Sequence, residues 1–335
     1  MTSHRFDLFI DSRFHTLYRE HPLVLADVGA RGGLKSNWAA ARPYLRVIGF
    51  EPDPREYRRL TEGGSDRSTT WFGVALHNRM GPLRLHIARD RGLTSMFEPD
   101  RSFLDAFPQA DRFDTIEVQE TEGDTLDNLL RSRQIADVDF VKVDTQGSEL
   151  FVLEGAANTL EASVLGVEVE VEFTPIYRDQ PLFADVDAFL RARGFQLFDL
   201  RPCYWKRAVG RAVGGPHGQI IWADALYLRT IPGINEAIAR LDAESGRAKL
   251  LRALSIAMLY GYFDYALDLL RASGAVLTTD DRALIDQRIR RSGGGPARAF
   301  PGRRQIAAVL HRLWKLVRPR DDSWSISRAD LGNPR

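Results

Sequence analysis

The sequence predicts an α/β fold in which a mostly parallel, doubly wound sheet is followed by a C-terminal α-helical extension. Short apolar runs alternate with helical segments over residues 23–230, a glycine-rich turn follows the first run, and helical periodicity replaces β character after Pro232. With 335 residues and 44% hydrophobic content, the chain can bury one large domain together with the extension.

A glycine turn follows the first predicted strand. That strand, residues 23–25, leads through Asp27 into the sequence GARGG at residues 29–33, and a helix is expected over residues 36–44. Glycines let the backbone approach a ligand closely, and the free amides of a helix start favour a polar or anionic group. The second strand, residues 47–50, ends in Glu51, where an acid can accept hydrogen bonds from a ribose diol.

Two nucleotide cofactors use such a layout. A dinucleotide fingerprint requires G-x-G-x-x-G, but Arg31 stands where its second glycine would be. The observed G-x-x-G-G after an acidic residue fits the loop that binds S-adenosylmethionine better, because that ligand has no pyrophosphate. An ordinary βαβ unit, whose glycines only make a tight turn, is the alternative.

The remaining elements follow from periodicity and turn signals. The sequence predicts helices at 54–62, ended by Gly63 and Gly64, and at 125–131, 150–160 and 185–193. It predicts strands at 70–76, 83–87, 115–118, 138–144, 165–173, 195–200 and 225–229.

Asp144 ends the strongest central strand, on the same ligand edge as the glycine turn if the sheet is parallel. Its carboxylate can orient the ammonium of a donor or receive a proton from an acceptor hydroxyl. Lys142 shares a strand face with Asp144 and would keep it ionised by pairing. Helix capping is the structural alternative for Asp144 and Glu149.

Three glutamates, Glu168, Glu170 and Glu172, alternate with valines on one strand. Carboxylates in such a row repel one another unless they are solvated, paired or bound to a metal. We expect Glu170 and Glu172, nearest the ligand edge, to serve an acceptor site. A metal site is the lesser alternative, and no metal is assigned.

Composition limits the compartment and the partners. The formal net charge of +1 gives no reason to expect nucleic acid. A single cysteine, Cys203, suits a reducing compartment, and the N-terminal region lacks the apolar core of a signal peptide. Since no apolar stretch approaches about 18 residues, a cytoplasmic protein without a transmembrane helix is expected.

The predicted division of the chain is an N-terminal helix at 1–20, a catalytic domain at 21–231, a helical extension at 232–291, a linker at 292–302, a basic amphipathic helix at 303–318 and a disordered tail at 319–335. Residues 291–320 contain eight arginine and lysine residues and no acid. This composition is typical of a helix in an anionic membrane interface, so we expect peripheral contact at the inner face of the membrane. A helix that packs on the domain or binds a partner is the alternative.

Four motifs in order, DVGARGG, FEPDP, VDFVKVDTQGSELFVLEGA and VEFTPIYRDQPLF…FLRARGFQLFDL, resemble the FkbM family of class I S-adenosylmethionine-dependent methyltransferases. The resemblance covers about residues 22–230. It implies a Rossmann-like, seven-stranded sheet with an antiparallel last strand, and O-methylation of a sugar or polyketide hydroxyl.

The resemblance and the positions of the residues in the predicted sheet together give a set of candidate site residues. The donor set is Asp27, Gly29, Ala30, Arg31, Gly33, Glu51, Pro52, Asp53, Asp144, Gln146 and Glu149, with Lys142, Val143 and Gly147 in the same signature as the last three. Many family members have Asn where this chain has Arg31. Asp144 is the first candidate base, and Glu170 or Glu172 the second. The acceptor set is Ser95, Tyr177 and Arg178.

The predicted function is therefore S-adenosylmethionine-dependent O-methylation of a sugar, glycan or related natural product. A methyltransferase-like scaffold protein without turnover, working through the helical extension, is the alternative. A dehydrogenase ranks third because the dinucleotide pattern is broken at Arg31.

Overall fold

The structure is a computed structural model of the 335-residue chain. It describes residues 8–62, 68–135, 137–211, 213, 217–294, 302–317, 323–327 and 331. The helices there are α1 (Ser12–Glu20), α2 (Pro54–Glu62), α3 (Arg101–Leu104), α4 (Leu126–Ser132), α5 (Glu149–Glu154), α6 (Ala157–Ala162), α7 (Phe183–Arg191), α8 (Ile231–Ala239), α9 (Ala243–Leu259), α10 (Phe263–Ala272), α11 (Thr279–Gly293) and α12 (Arg303–Val317). The strands are β1 (Leu23–Val28), β2 (Leu45–Phe50), β3 (Thr69–Phe72), β4 (Ala75–Leu76), β5 (Gly81–Ala88), β6 (Thr115–Asp124), β7 (Phe140–Val143), β8 (Gly166–Glu172), β9 (Phe195–Trp205), β10 (Gln219–Arg229) and β11 (Ser325–Ser327).

The main sheet has the order β11-β9-β10-β8-β7-β1-β2-β3 in the described part of the chain. Strands β3, β2, β1, β7 and β8 pair in parallel, and β10 pairs antiparallel with both β8 and β9. The expected α/β class is confirmed, together with the antiparallel last strand β10. Because the parallel strands share one direction, the carboxyl ends of β1, β2, β7 and β8 meet at one edge.

The sheet has one strand more than the seven expected. Ser325–Ser327 pair antiparallel with Tyr204 and its neighbours in β9, and the buried Trp324 packs against Trp205 with ring centroids 5.4 Å apart. The prediction of disorder is therefore wrong for this part of the segment 319–335. Three residues carry too little periodicity to be recognised, and the pairing depends on the distant edge of β9.

Three local predictions were also wrong in detail. Residues 36–44 form two 3₁₀ turns, Ser36–Trp38 and Arg42–Tyr44, instead of one helix. The helix expected at 150–160 is interrupted between α5 and α6, where a Cβ on Gly155 would lie 2.0 Å from a backbone oxygen of His77. The strand expected at 70–76 is divided between two sheets, because β4 pairs with β6 in a smaller sheet of order β4-β6-β5. The glycines at 63 and 64 lie outside the described residues.

Two helical layers cover the main sheet. On one face, valines and other apolar residues of the strands pack against α4 to α7. On the other face, Leu25, Val47 and Phe140 join a cluster that includes apolar residues of α1 and of the extension helices α8 to α11. The extension thus supplies most of one layer of the core. The predicted division into domains at residue 231 stays a prediction.

A buried ionic cluster ties the extension to the sheet. The Nζ of Lys249 in α9 lies 2.8 Å from carboxylate oxygens of both Asp137 and Asp139, just before β7. Arg252, one turn further along α9, contacts the same two acids at 2.9 and 3.2 Å. Because Lys249 and Asp139 are almost completely buried, water cannot solvate either charge if its ionic partner is removed.

Candidate active site

A pocket of about 240 Å³ opens at the edge where β1, β2 and β7 end. Its wall contains Gly29 after β1, Glu51 after β2, Asp144 after β7, and Ser95 from the loop that follows β5. These residues are as much as 115 positions apart in the chain, and the parallel pairing of the three strands brings them together. The pocket is therefore at the ligand edge that the sheet order predicts.

Gly29 is fixed by the backbone at the base of the pocket. Its φ is +71°, and a Cβ there would lie 1.9 Å from the backbone oxygen of Asp144. The turn is held from the other side by Glu56 in α2, whose Oε1 accepts a hydrogen bond of 3.1 Å from Gly32 N. Only glycine fits at position 29, so the turn after β1 can pack directly against the backbone that follows β7.

Two arginines and two acids form the rim beside β2. The carboxylate of Asp53 accepts hydrogen bonds from Arg91 Nη1 at 2.9 Å and from Arg31 Nη2 at 3.3 Å. Burial raises the pKa of Glu51 to about 7. A hydrogen bond of 2.9 Å from Asp53 N to Glu51 Oε1 lowers this pKa but does not outweigh the burial. Glu51 thus accepts one backbone hydrogen bond in the pocket wall, while Arg31 is paired with Asp53.

Lys142 is enclosed between two acids at the ends of β1 and β7. Its Nζ lies 3.4 Å from Asp27 Oδ1 and 3.5 Å from Asp144 Oδ2, and it donates a 3.0 Å hydrogen bond to Gly29 O. Burial alone would raise the pKa of Asp144, but Lys142 and Lys35 outweigh it and hold that pKa below its usual value. Burial raises the pKa of Asp27.

Gln146 links the groups around Asp144. Its Nε2 donates to Asp144 Oδ1 at 3.1 Å and to Glu170 Oε1 at 2.7 Å, and its Oε1 accepts from the hydroxyl of Tyr177 at 3.2 Å. The hydroxyl of Ser95 donates to the backbone oxygen of Gln146 at 2.5 Å. This network joins Asp144, Glu170 and Tyr177 on one side of the pocket.

The three glutamates of β8 have different surroundings. Glu168 accepts hydrogen bonds from Lys35 Nζ, in the segment after β1, at 2.6 Å and from the hydroxyl of Tyr260, in the extension, at 2.7 Å. Burial, with Asp144 nearby, raises the pKa of Glu170 well above its usual value. Burial, with Glu149 nearby, does the same for Glu172. One oxygen each of Glu149, Glu170 and Glu172 lie within 4.8 Å of one another, a spacing that could hold a cation.

The structure brings most of the predicted site residues to the pocket wall: Gly29, Arg31, Glu51, Pro52, Asp53, Ser95, Asp144, Gln146 and Glu170. Others are buried and do not line the pocket, namely Asp27, Ala30, Glu149, Glu172 and Tyr177. Gly33 is half-buried and does not line it either. Glu149 accepts hydrogen bonds from Thr145 N and Gly147 N, as expected of a residue that orders the turn. Arg178 pairs with Glu98 at 3.2 Å in a separate surface groove.

Sequence reasoning missed two cations of the site, Lys35 and Arg91. Lys35 is 133 residues from its partner Glu168, and Arg91 is 38 residues from Asp53. Neither belongs to a motif. The one available signal was the excess of acids at the predicted strand ends, which requires buried cations without specifying which ones.

Comparison with known proteins gives a family match. A family model described as "Methyltransferase FkbM domain" matches residues 27–197. A curated protein from Haloferax volcanii, hexuronic acid methyltransferase AglP, is 32% identical over 148 residues, which are 44% of this chain and 55% of AglP. The chain thus spans about half the length of the curated relative that it matches.

Two solved structures are similar to this chain over part of its length. A methyltransferase FkbM from Methylobacillus flagellatus KT is 17% identical, with a TM-score of 0.36 over 62% of this chain and 43% of its own. The magnesium protoporphyrin IX methyltransferase from Synechocystis PCC 6803, solved with bound SAM, is 10% identical, with a TM-score of 0.31 over 66% of this chain and 77% of its own.

Proposed function

The chain belongs to the FkbM methyltransferase family, and from that premise we propose that it is an S-adenosylmethionine-dependent O-methyltransferase acting on a hydroxyl of a sugar or glycan. The pocket at the carboxyl edge of the sheet supports this most directly, because a glycine turn, Glu51 and Asp144 all line it. The curated relative AglP is named as a hexuronic acid methyltransferase, which supports a sugar acceptor.

The pocket residues suit S-adenosylmethionine. Gly29 contributes only backbone atoms to the pocket wall, and its lack of a Cβ lets the turn pack against the backbone oxygen of Asp144. Glu51 can accept hydrogen bonds from the ribose diol, and Asp144, backed by Asp27, provides negative charge toward the ammonium and sulfonium. When bound, the donor supplies a methyl group on a positively charged sulfur. Since that methyl is already activated, the enzyme mainly aligns the two reactants and excludes water.

Asp144 is the proposed base for the acceptor hydroxyl. It lines the pocket, and Lys142 keeps it ionised, so an Oδ atom can take the hydroxyl proton. Glu170 lines the same wall and is joined to Asp144 through Gln146, which makes it the second proposed carboxylate. Glu172 lies behind Glu170 and is proposed to act only through it.

The proposed acceptor site begins at Ser95 and runs outward. Ser95 lines the pocket, and Tyr177 holds the amide of Gln146 from behind. Arg178 lies in a surface groove together with Arg89 and Arg101, where it is proposed to contact the outer part of a larger acceptor.

Calorimetric titration with S-adenosylmethionine and, in parallel, with NAD tests the donor assignment. We expect binding of the former alone, abolished by Glu51→Ala and retained by Glu117→Ala, which changes an exposed acid on β6. A screen of sugar acceptors with the wild type and Asp144→Asn follows. Binding of NAD alone would overturn the assignment, and donor binding without turnover on any acceptor would favour the scaffold function.

We also propose that α12 makes peripheral contact with an anionic membrane surface. Apolar side chains at helical spacing are between 50% and 60% exposed on one stripe: Ile306, Val309, Leu310, Leu313 and Trp314. The helix carries Arg303, Arg304, Arg312 and Lys315 and no acid. An amphipathic basic helix of this kind complements anionic headgroups while its apolar stripe enters the interface.

Co-sedimentation with vesicles tests the membrane contact. The full chain is expected to bind anionic vesicles but not neutral ones, and removal of residues 303–320 is expected to abolish binding. Equal sedimentation of both forms would refute the contact. Among the residues that the structure describes, no helix combines the length and apolar character needed to cross a bilayer.

A further inference from the structure

We propose that Glu149, Glu170 and Glu172 form a site for one hard divalent cation, directly behind the wall of the donor pocket. One carboxylate oxygen from each residue lies within 4.8 Å of the other two. Opposite ligands of Ca²⁺ at about 2.4 Å are about 4.8 Å apart, and those of Mg²⁺ at about 2.1 Å are about 4.2 Å apart. Since only one pair of the three can be opposite, the limit of 4.8 Å means that the carboxylates lie close enough to share one ion after a small inward movement of their oxygens.

Glu172 supplies a second, independent observation. Its Oε1 is buried and has no hydrogen-bond partner, although the residue is only 3% exposed. Glu149 and Glu170 differ in this respect, since backbone amides satisfy the first and Gln146 contacts the second. A buried carboxylate oxygen that lacks a donor is costly, and a cation in the cluster would satisfy it.

The charge distribution points in the same direction. Lys142 is committed to Asp27 and Asp144, and Lys35 to Glu168 and Asp224. Within the described ranges, no ion pair reaches Glu149, Glu170 or Glu172. Three carboxylates in a buried site need positive charge or protons, and a dication with oxygen ligands meets that need.

Glu170 gives the proposed ion its relation to the active site. It is the one member of the three whose side chain lines the pocket, and Gln146 joins it to Asp144. An ion held there would fix the Glu170 carboxylate at the acceptor side of the pocket. The ion is inferred from the carboxylates alone, so it is measured without donor or acceptor.

Manganese binding provides the test. After treatment with EDTA, the full chain is titrated with Mn²⁺, and free Mn²⁺ is followed by its EPR signal. We expect one ion per chain, displaced by Mg²⁺ or Ca²⁺, and binding at least about tenfold weaker in Glu172→Gln. Glu117→Gln, in an exposed position on β6, is the matched control and should bind as the wild type does.

Thermal denaturation distinguishes a cation site from a cluster in which the three carboxyl groups are simply protonated. Mn²⁺ should raise the melting temperature of the wild type and of Glu117→Gln, and leave that of Glu172→Gln unchanged. Glu170→Gln is the second variant should Glu172→Gln fail to fold. Absence of bound Mn²⁺ in the wild type, or equal binding by the folded variants, would overturn the site. Donor calorimetry fails or succeeds separately, so failure of this site and failure of the methyltransferase proposal are distinguishable.

Discussion

The pKa of Glu51 makes donor binding dependent on pH in a defined direction. Burial raises this pKa from its ordinary 4.5 to about 7, which corresponds to about 3 kcal/mol disfavouring the ionised form in the free protein. Between these two values the folded chain binds more protons than the unfolded chain, so the contribution of Glu51 to stability falls as the pH rises.

Donor binding should respond in the opposite sense, because the ribose diol donates its hydrogen bonds to an ionised carboxylate. With a pKa of about 7, roughly one Glu51 in ten is ionised at pH 6 and about nine in ten at pH 8. The affinity for S-adenosylmethionine should therefore rise about tenfold between these values, or about 1.4 kcal/mol, and level off above pH 8.

Calorimetry at half-unit intervals of pH measures this effect, with Glu51→Gln as the matched variant. The amide does not titrate, so its affinity should lack the Glu51 component, while any titration of the donor itself is common to both proteins. Global unfolding would be a poorer assay because Glu149, whose pKa burial also raises to about 7, titrates in the same range. Identical pH profiles for the two proteins would refute the role of Glu51.

Two further predictions concern the loop and the extension. Gly29→Ala should abolish donor binding, because a Cβ there would overlap a backbone oxygen. Gly32 has a φ of +82°, and no atom lies within 4 Å of an added Cβ, so Gly32→Ala should retain binding and cost about 1–2 kcal/mol of stability. Calorimetry measures binding and urea denaturation measures stability for both variants. Equal loss of binding would contradict the steric argument. Lys249→Met should lower the free energy of unfolding by about 3 kcal/mol, because the buried Asp139 loses one of its two cationic partners and keeps Arg252. The exposed Arg271→Ala should change it by less than about 0.5 kcal/mol. Urea denaturation measures both, and a similar loss for the two variants would contradict the buried ionic link.

The sequence identified the ligand edge through local features. Apolar runs that end in Gly29, Glu51 and Asp144 were sufficient, because parallel strands place their carboxyl ends together whatever the loops between them do. The alternation of strands and helices predicted the α/β class, and the family resemblance implied an antiparallel last strand; both are confirmed. Local features also predicted the long helices of the extension, where the periodicity extends over several turns.

Short elements escaped prediction because their structure depends on distant partners. The 3₁₀ turns of residues 36–44 replace a helix whose periodicity covered little more than two turns. The strand Ser325–Ser327 forms because the edge of β9 offers it hydrogen bonds, and β9 lies more than a hundred residues earlier in the chain. Neither the edge nor the distance is visible in a window of sequence.

The sequence by itself determined which strands end in residues that line the pocket, since strand direction and side-chain alternation are local properties of the backbone. Only the tertiary structure decided how the buried charges are neutralised: Lys142 between Asp27 and Asp144, Lys35 on Glu168, and Lys249 on Asp139. The physical reason is that the energy of a buried charge depends on the separation and desolvation of its partner in space. Position along the chain fixes neither quantity.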